Sequence, residues 1–393
     1  MICRNSLGEK LSLLGFGAMR LPTLSDGSID ESTLKEMVRY AIDNGVNYFD
    51  TAYPYHGGRS EVVLGRVLSE YPREKYFLAD KYPGHQIMSS YDPREVFEDQ
   101  LKKCGVDYFD FYLLHNVNEQ SIKVYTDEKW GIIDYFKEQK RLGRIKHLGF
   151  STHAYLSGLE DILDKIGEDM EFCQIQINYL DYSLQKAREK YELLTERGIP
   201  VWVMEPLRGG KLASLDDASL SVLNSAGMTD LPVSYAFRFL QSFDNIGMIL
   251  SGMSNFEQVK GNVEIFKKLN PLNTTEREIL LRVADGMKKA VPCTACRYCT
   301  DGCPMGLDIP LLISGYNDLS FVPGVSASIP LQYLPEDKRP HACIGCGACK
   351  AICPQSIDIP DVLGKLSGIL DKLPRWDDVC REREEAQKKL NGK

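Results

Sequence analysis

No stretch of this chain approaches the roughly 20 consecutive apolar residues that a membrane-spanning helix needs. Its opening, MICRNSLGEKLSLLGFGAMR, is interrupted by charges and glycines and lacks both the apolar segment and the small-residue cleavage site of a secretory signal. A soluble, cytoplasmic protein without a membrane association is therefore expected. A basic excess is also missing: 47 Lys and Arg interleave with 55 Asp and Glu for a formal charge of −8, which leaves no basic face for nucleic acid. No G-x-G-x-x-G follows the first strand-like segment, and no flavin motif is visible. Cysteine is plentiful at twelve residues, but a reducing compartment excludes reading them as a disulfide framework. With 43% apolar and 26% charged residues, the 393-residue chain has the composition of a globular protein and the length of one large domain plus a small one.

Eight of the cysteines fall in two runs, CTACRYCTDGCP (293–304) and CIGCGACKAICP (343–354), each of the form C-x2-C-x2-C-x3-C-P. This is the spacing of [4Fe-4S] ligands, in which three close thiolates hold one cubane and, in two-cluster ferredoxins, the fourth cysteine serves the other cluster. One cluster is thus expected on Cys293, Cys296, Cys299 and Cys353, and a second on Cys343, Cys346, Cys349 and Cys303. Pro304 and Pro354, with fixed φ and no amide hydrogen, turn the chain away from its own cluster. The flanks CPMGLDIP (303–310) and CPQSIDIP (353–360) agree at five of eight positions, as an internal duplication would. Structural zinc is the competing reading, but it favours separated C-x2-C pairs. Between the runs, a helix-compatible LLISG stretch suggests a helical ferredoxin-type module. Cys3, Cys104, Cys173 and Cys380 stand alone and read as core or surface thiols.

Ahead of the cysteines, β-branched or aromatic runs alternate with segments of helical period. Candidate strands lie at 13–18, 47–52, 76–81, 108–115, 145–151, 173–179, 200–206 and 245–252. Helix starts are read at Asp30, Ser60, Asp92 with Pro93, and Asn255. Eight strands separated by helices suggest a (β/α)8 TIM barrel, with a doubly wound open sheet as the alternative.

In a barrel, reactive groups gather where strands end. Asp50 and Tyr55 follow the second candidate strand in DTAYPYHGG, Lys81 ends the third, and His115 ends the fourth. Singly, each has a plainer reading: a turn residue, a surface aromatic, a solvated strand end and a satisfied core histidine. Together they describe a chemistry. A tyrosine titrates near ~10 and is a poor acid at neutral pH unless a cation stabilises its phenolate. Lys81 would be that cation, Asp50 would hold Lys81, and His115 would donate a hydrogen bond to a carbonyl oxygen.

With these residues in place the chain resembles the aldo-keto reductase family, in its branch with a C-terminal two-[4Fe-4S] ferredoxin-type domain. The family's D-T-A-x-x-Y element reads Asp50 to Tyr55, its strand-end lysine matches Lys81, and its histidine matches His115 in YLLHN. The resemblance implies Tyr55 as general acid/base with a pKa lowered by Lys81, Asp50 orienting Lys81, and His115 positioning the carbonyl. It implies bound NADPH or NADH, with nicotinamide contacts at Ser151 and Gln174, Met204 where many members have a stacking aromatic, and Gln258 and Asn262 where basic residues often grip a 2′-phosphate. Thr152 stands in place of the usual asparagine, and Lys260 is the nearby cation. The resemblance gives no role to Tyr53, His56, His85, His147 or His153, which read as structural, with Tyr53 and His56 also candidates to line the pocket.

The expected organisation is an aldo-keto reductase-like barrel over 1–273, a helical linker over 274–292, a mainly helical ferredoxin-type iron-sulfur domain over 293–380 and a charged tail over 381–393. The linker or the cluster domain would take the place of the family's substrate-closing C-terminal loop. The expected function is reduction of a small-molecule aldehyde or ketone, or the reverse alcohol oxidation, with one-electron transfer through two clusters to a redox partner protein. Two alternatives stand beside it: a cluster-driven one-electron reductase without nicotinamide, and an electron-transfer or redox-sensing protein with an idle barrel.

Overall fold

The computed structural model describes residues 1–287, 291, 293, 297–321, 324–353 and 357–390. Cys296 and Pro354 lie outside the described residues. The chain divides into two units, Met1–Asp285 together with Arg383–Lys393, and Gly286–Glu382.

The first unit is a closed parallel barrel, so the open-sheet alternative falls away. After the hairpin β1 (Cys3–Ser6) and β2 (Glu9–Ser12), the barrel strands are β3 (Leu14–Gly17), β4 (Tyr48–Asp50), β5 (Phe77–Tyr82), β6 (Phe109–Leu114), β7 (Ile145–Thr152), β8 (Cys173–Gln176), β9 (Val201–Met204) and β10 (Ile246–Gly252). They are hydrogen-bonded in chain order, and β10 pairs with β3 to close the ring. All eight fall within the expected segments to within a residue. Burial on both faces is what makes these runs continuously apolar, as in β6, FDFYLL, where every residue is buried.

The barrel interior is filled, not hollow. Tyr48, Ala79, Phe111, Leu113, Phe172, Trp202, Met248 and Leu250 pack there with Leu11 of β2. The β1–β2 hairpin was not anticipated; its two strands are short and polar, and its turn rests on Leu7 and Gly8 with φ of 54° and 82°. Asn47, just before β4, anchors it by accepting from Ser12 N at 2.8 Å and donating to Lys10 O at 3.0 Å.

Three of the expected helix caps form. Asp30 accepts from Thr33 N, Asp92 from Arg94 N and Glu95 N, and Asn255 from Gln258 N. Ser60 is a correction: it lies inside helix Arg59–Leu68, which is capped by Gly58 at φ 84°, and its hydroxyl is spent on Thr51 (2.9 Å) and Ala18 O (3.2 Å). On the same helix, a Cβ at Gly65 would lie 2.4 Å from the Cys104 carbonyl oxygen. No rotamer relieves a clash with backbone, so Gly65→Ala is expected to destabilise the barrel by about 1–3 kcal/mol despite alanine's better helix propensity. A lowered midpoint in chemical denaturation is the readout.

The segment expected as a linker belongs to the barrel unit as far as Asp285. Helix Thr274–Met287 buries Ile279, Leu280, Val283 and Ala284, and Arg238 donates to both Glu276 carboxylate oxygens at 2.7 Å. From Arg383 onward the charged C-terminal stretch belongs to the barrel unit as well; helix Trp376–Leu390 carries it.

The second unit is helical. Helices Ile309–Phe321 and Ile359–Leu370 follow the two duplicated LDIP and IDIP flanks, and Leu307, Leu312, Ile313, Leu331, Ile357, Val362, Leu363 and Leu366 form its core. Among the described residues, no helix is long and apolar enough to cross a membrane.

Candidate active site

Strand alternation decides which side chains share the barrel interior. Two residues on from the interior Tyr48 comes Asp50, two on from Ala79 comes Lys81, and two on from Leu113 comes His115. By the same period Phe172 leads to Gln174 and Trp202 to Met204. A single parity therefore stacks the polar set on the aromatic plug at the strands' C-terminal ends.

Three of the four expected catalytic side chains come from those ends and the fourth from a loop. Lys81 donates to Asp50 Oδ1 and, at 2.7 Å, to Thr51 O, and both Lys81 and Asp50 are fully buried. The Lys81 ammonium lies 5.0 Å from the centroid of the Tyr55 ring. The Tyr55 and His115 rings meet edge to face at 5.9 Å, and His85 stands 4.4 Å from His115 on another side. The His115 backbone is pinned: its N–H donates to Tyr82 O at 3.0 Å, and Tyr125 donates to its carbonyl at 2.6 Å.

The electrostatics follow from burial and this one cation. Burial works against the Lys81 ammonium, but Asp50 and Tyr55 outweigh it and hold its pKa above the usual value. Burial raises the Asp50 carboxyl, opposed by Lys81. The Tyr55 phenol is raised by burial, with Lys81 drawing it back. Lys81 thus acts on Tyr55 in the expected direction, while desolvation of the phenolate raises the pKa by more than Lys81 lowers it. Burial, then the His85 ring and the Lys81 charge, push His115 well below the usual histidine range, so its ring is neutral at pH 7.

Tyr55 opens a tight turn in which His56, Gly57 and Gly58 have φ of 52°, 63° and 84°. His56 does not reach toward the tetrad; its Nε2 accepts from Leu21 N at 3.2 Å and fastens this turn to the first loop. Tyr53 lies under the Lys103 ammonium at 4.6 Å. Gly58 is required by its φ of 84°, and the Gln387 side-chain amide packs against it.

On the expected cofactor side, Ser151 and Gln174 are register partners on β7 and β8. Ser151 Oγ accepts from Asn116 N at 2.8 Å, while the buried Gln174 Oε1 and Asn116 Oδ1 have no protein partner. Two orphaned acceptors beside a hydroxyl fit the amide of a nicotinamide. Met204, half-buried, ends β9. Asn262 is placed apart from these: buried, it donates to Ser251 Oγ at 3.1 Å. Gln258 accepts from Ser254 N at 2.7 Å. Thr152 Oγ1 accepts from Ala154 N at 2.9 Å. Sequence reading missed Arg20, whose side chain lies against Gly252 and Gly209 and pairs with Glu205 at 3.7 Å. It brings a cation to the end of β10 from the far end of the chain, and no local signal announces it.

In the second unit Cys303, Cys343, Cys346 and Cys349 line one cavity with Pro304, Leu307, Ile309, Ile344 and Leu363. Four cysteine side chains among apolar walls are the kind of donor set a cubane takes, and Cys303 lines this cavity together with three cysteines of the second run. Cys299 is buried in the same core, with Cys293 and Cys353 packed against it.

The chain matches the profile of the Aldo/keto reductase family over residues 13–282 and that of a 4Fe-4S dicluster domain over residues 292–357. It belongs to the aldo/keto reductase family. It is an oxidoreductase of that family joined to an iron-sulfur domain. L-galactose dehydrogenase of Arabidopsis thaliana is 28% identical over 298 residues, 69% of this chain and 89% of that one. Probable aldo-keto reductase 1 of Glycine max is 28% identical over 211 residues, 52% of this chain and 58% of its own length. Among solved structures, the holo form of an aldo-keto reductase from Bacillus halodurans matches at TM-score 0.59 and 24% identity over 72% of this chain and 96% of that one. An aldo-keto reductase from Klebsiella pneumoniae in complex with NADPH matches at TM-score 0.57 and 18% identity, with the same coverage. At these identities the two structures speak for the fold alone.

Proposed function

We propose that the barrel reduces a small aldehyde or ketone, or oxidises the corresponding alcohol, with Tyr55 as general acid/base, and that the helical unit carries single electrons on two [4Fe-4S] clusters. The observation that carries this reading is the assembly of Asp50, Lys81 and His115 on one interior parity with the Tyr55 ring of the following loop against Lys81 and His115. Ser151 and Gln174 would hold a nicotinamide amide and Met204 would pack on its ring, a contact that a thioether can make. When bound, a reduced nicotinamide supplies hydride to the carbonyl carbon, and each cluster supplies or accepts one electron.

The chain's own residues do the rest. The neutral His115 ring donates to the carbonyl oxygen and orients it toward Tyr55. Tyr55, protonated at neutral pH, gives its hydroxyl proton to that oxygen as negative charge develops. Lys81 stabilises the phenolate left behind, and Asp50 keeps Lys81 from turning away. In oxidation the same proton returns to Tyr55. Cysteines 293, 296, 299 and 353 would hold one cluster and 343, 346, 349 and 303 the other.

Anaerobic titration with NADPH and with NADH, followed by intrinsic fluorescence and by cluster absorbance together, tests this reading. Saturable quenching and turnover of an aldehyde panel are expected. Failure of both nucleotides to bind would leave cluster-driven reduction at Tyr55 in its place.

A further inference from the structure

The turn that carries Tyr55 depends on its surroundings. His56, Gly57 and Gly58 lie in succession in the left-handed region, and for His56, which has a Cβ, that conformation persists only where neighbouring structure enforces it. The turn is clamped from two sides. On one, His56 Nε2 accepts from Leu21 N. On the other, the returning C-terminal helix lies across it: the Ala386 methyl group packs against Gly57 and the Gln387 side chain against Gly58. Gln387 is only 3% exposed; its Nε2 donates to Tyr53 O at 2.6 Å and its Oε1 accepts from Lys103 Nζ at 2.7 Å. The same ammonium stands 4.6 Å from the centroid of the Tyr53 ring and is fixed by Asp99 at 2.5 Å and by the fully buried Glu61 at 3.4 Å. Tyr53 is thus gripped at its carbonyl and at its ring by one closed network, two residues ahead of Tyr55.

This network needs an amide at position 387. A carbonyl only accepts and an ammonium only donates, so the side chain between them must offer a donor on one arm and an acceptor on the other. Glutamate, of the same length, would keep Lys103 but set an anion against the Tyr53 carbonyl; methionine would serve neither. The helix has a further anchor one turn earlier, where Glu384 accepts from Ser89 Oγ and, at 3.3 Å, from Ser89 N. Docking of the helix therefore does not rest on Gln387 alone, and what Gln387 adds is the hold on Tyr53.

We propose that Gln387 is a positioning residue for Tyr55: by holding the Tyr53 carbonyl it fixes the turn, so that the phenol stays against Lys81 and His115 for proton transfer. This rests on the carbonyl-reductase reading above. A proton donor must stand within about 2.6–3.2 Å of the atom it serves, and a displacement of about 1 Å can cost about a hundredfold in rate. The segment that follows the iron-sulfur domain in the chain thereby completes the active barrel.

The test compares Gln387→Glu and Gln387→Met with wild type in the full-length, cluster-loaded protein. Both are expected to lower kcat for aldehyde reduction by about tenfold to a hundredfold, with KM and nicotinamide affinity within about twofold. In a Tyr55→Phe background the same changes should have no further effect on the residual rate, because Gln387 acts only through the phenol. Amide hydrogen exchange read by mass spectrometry follows the turn without turnover. Peptides over residues 51–58, which include the Tyr55 N–H bonded to Ala52 O at 3.0 Å, should exchange faster in both variants while the barrel strands keep wild-type protection. Circular dichroism and cluster absorbance report whether each variant is folded. Faster exchange in both variants, with no aldehyde turned over by wild type, would overturn the reductase reading and keep the clamp on the turn. Exchange at the wild-type rate, kcat at the wild-type level in either variant, or a loss of rate that persists in the Tyr55→Phe background would overturn the proposal.

Discussion

Tyr55→Phe is expected to lower kcat for carbonyl reduction by about two to four orders of magnitude, the usual worth of a positioned proton donor. Nicotinamide affinity should stay within about twofold, since the phenyl ring remains and only a transition-state interaction is lost. The ring still meets His115 edge to face, and the Lys81–Asp50 pair is untouched, so a folding defect is not expected. The direction of the reaction sets the pH signature. Reduction needs the phenol, and because burial holds Tyr55 above its ordinary pKa, that form persists through neutral and mildly alkaline pH. Oxidation needs the phenolate, so its rate should climb with pH across the alkaline range. Stopped-flow single turnover on wild type and variant, in both directions, reads all of this. A variant retaining more than about a tenth of the wild-type rate would mean that the proton comes from elsewhere.

The second large effect concerns the crossed ligands. If Cys303 and Cys343 serve one cluster, then Cys303→Ala, Cys343→Ala and the double variant should each lose roughly half of the bound iron, with no further loss on combination. Pairing each cysteine with its own run predicts a different result: the double variant would lose both clusters. Iron and sulfide analysis with electron paramagnetic resonance of the dithionite-reduced protein decides between them. The cavity shared by Cys303, Cys343, Cys346 and Cys349 is the reason for expecting the first outcome. Because these thiols sit in or beside the apolar core of the helical unit, losing a cluster should also loosen that unit, and the same variants should show earlier unfolding there.

Much of this could be read directly from the chain. Strand runs such as FYLL and VWVM are apolar on both faces, so their placement needed no tertiary information. Asp30, Asp92 and Asn255 announce helices because a short acceptor just ahead of an apolar period has one common use. The β1–β2 hairpin escaped notice because its strands are four residues each and polar, too short for alternation to register. Ser60 was misplaced because a left-handed glycine took the capping position, leaving the hydroxyl for Thr51 and Ala18. Arg20 and the Gln387–Tyr53 contact join residues hundreds of positions apart, and no local pattern encodes such pairings.

What the sequence determined alone was chemistry with a fixed local geometry: two C-x2-C-x2-C-x3-C-P runs whose spacing suits a cubane, and a period-two alternation that carries Asp50, Lys81 and His115 to one side of their strands. What only the tertiary structure decided was environment. Whether Tyr55 is a stronger or weaker acid depends on how much water burial removes against how much charge Lys81 can spare, and that balance belongs to the packed barrel. Which segment docks beside the Tyr55 turn was equally beyond local reading: the helix bearing Gln387 is charged and looks solvated in sequence, and the carbonyl of Tyr53 gives it a place to dock.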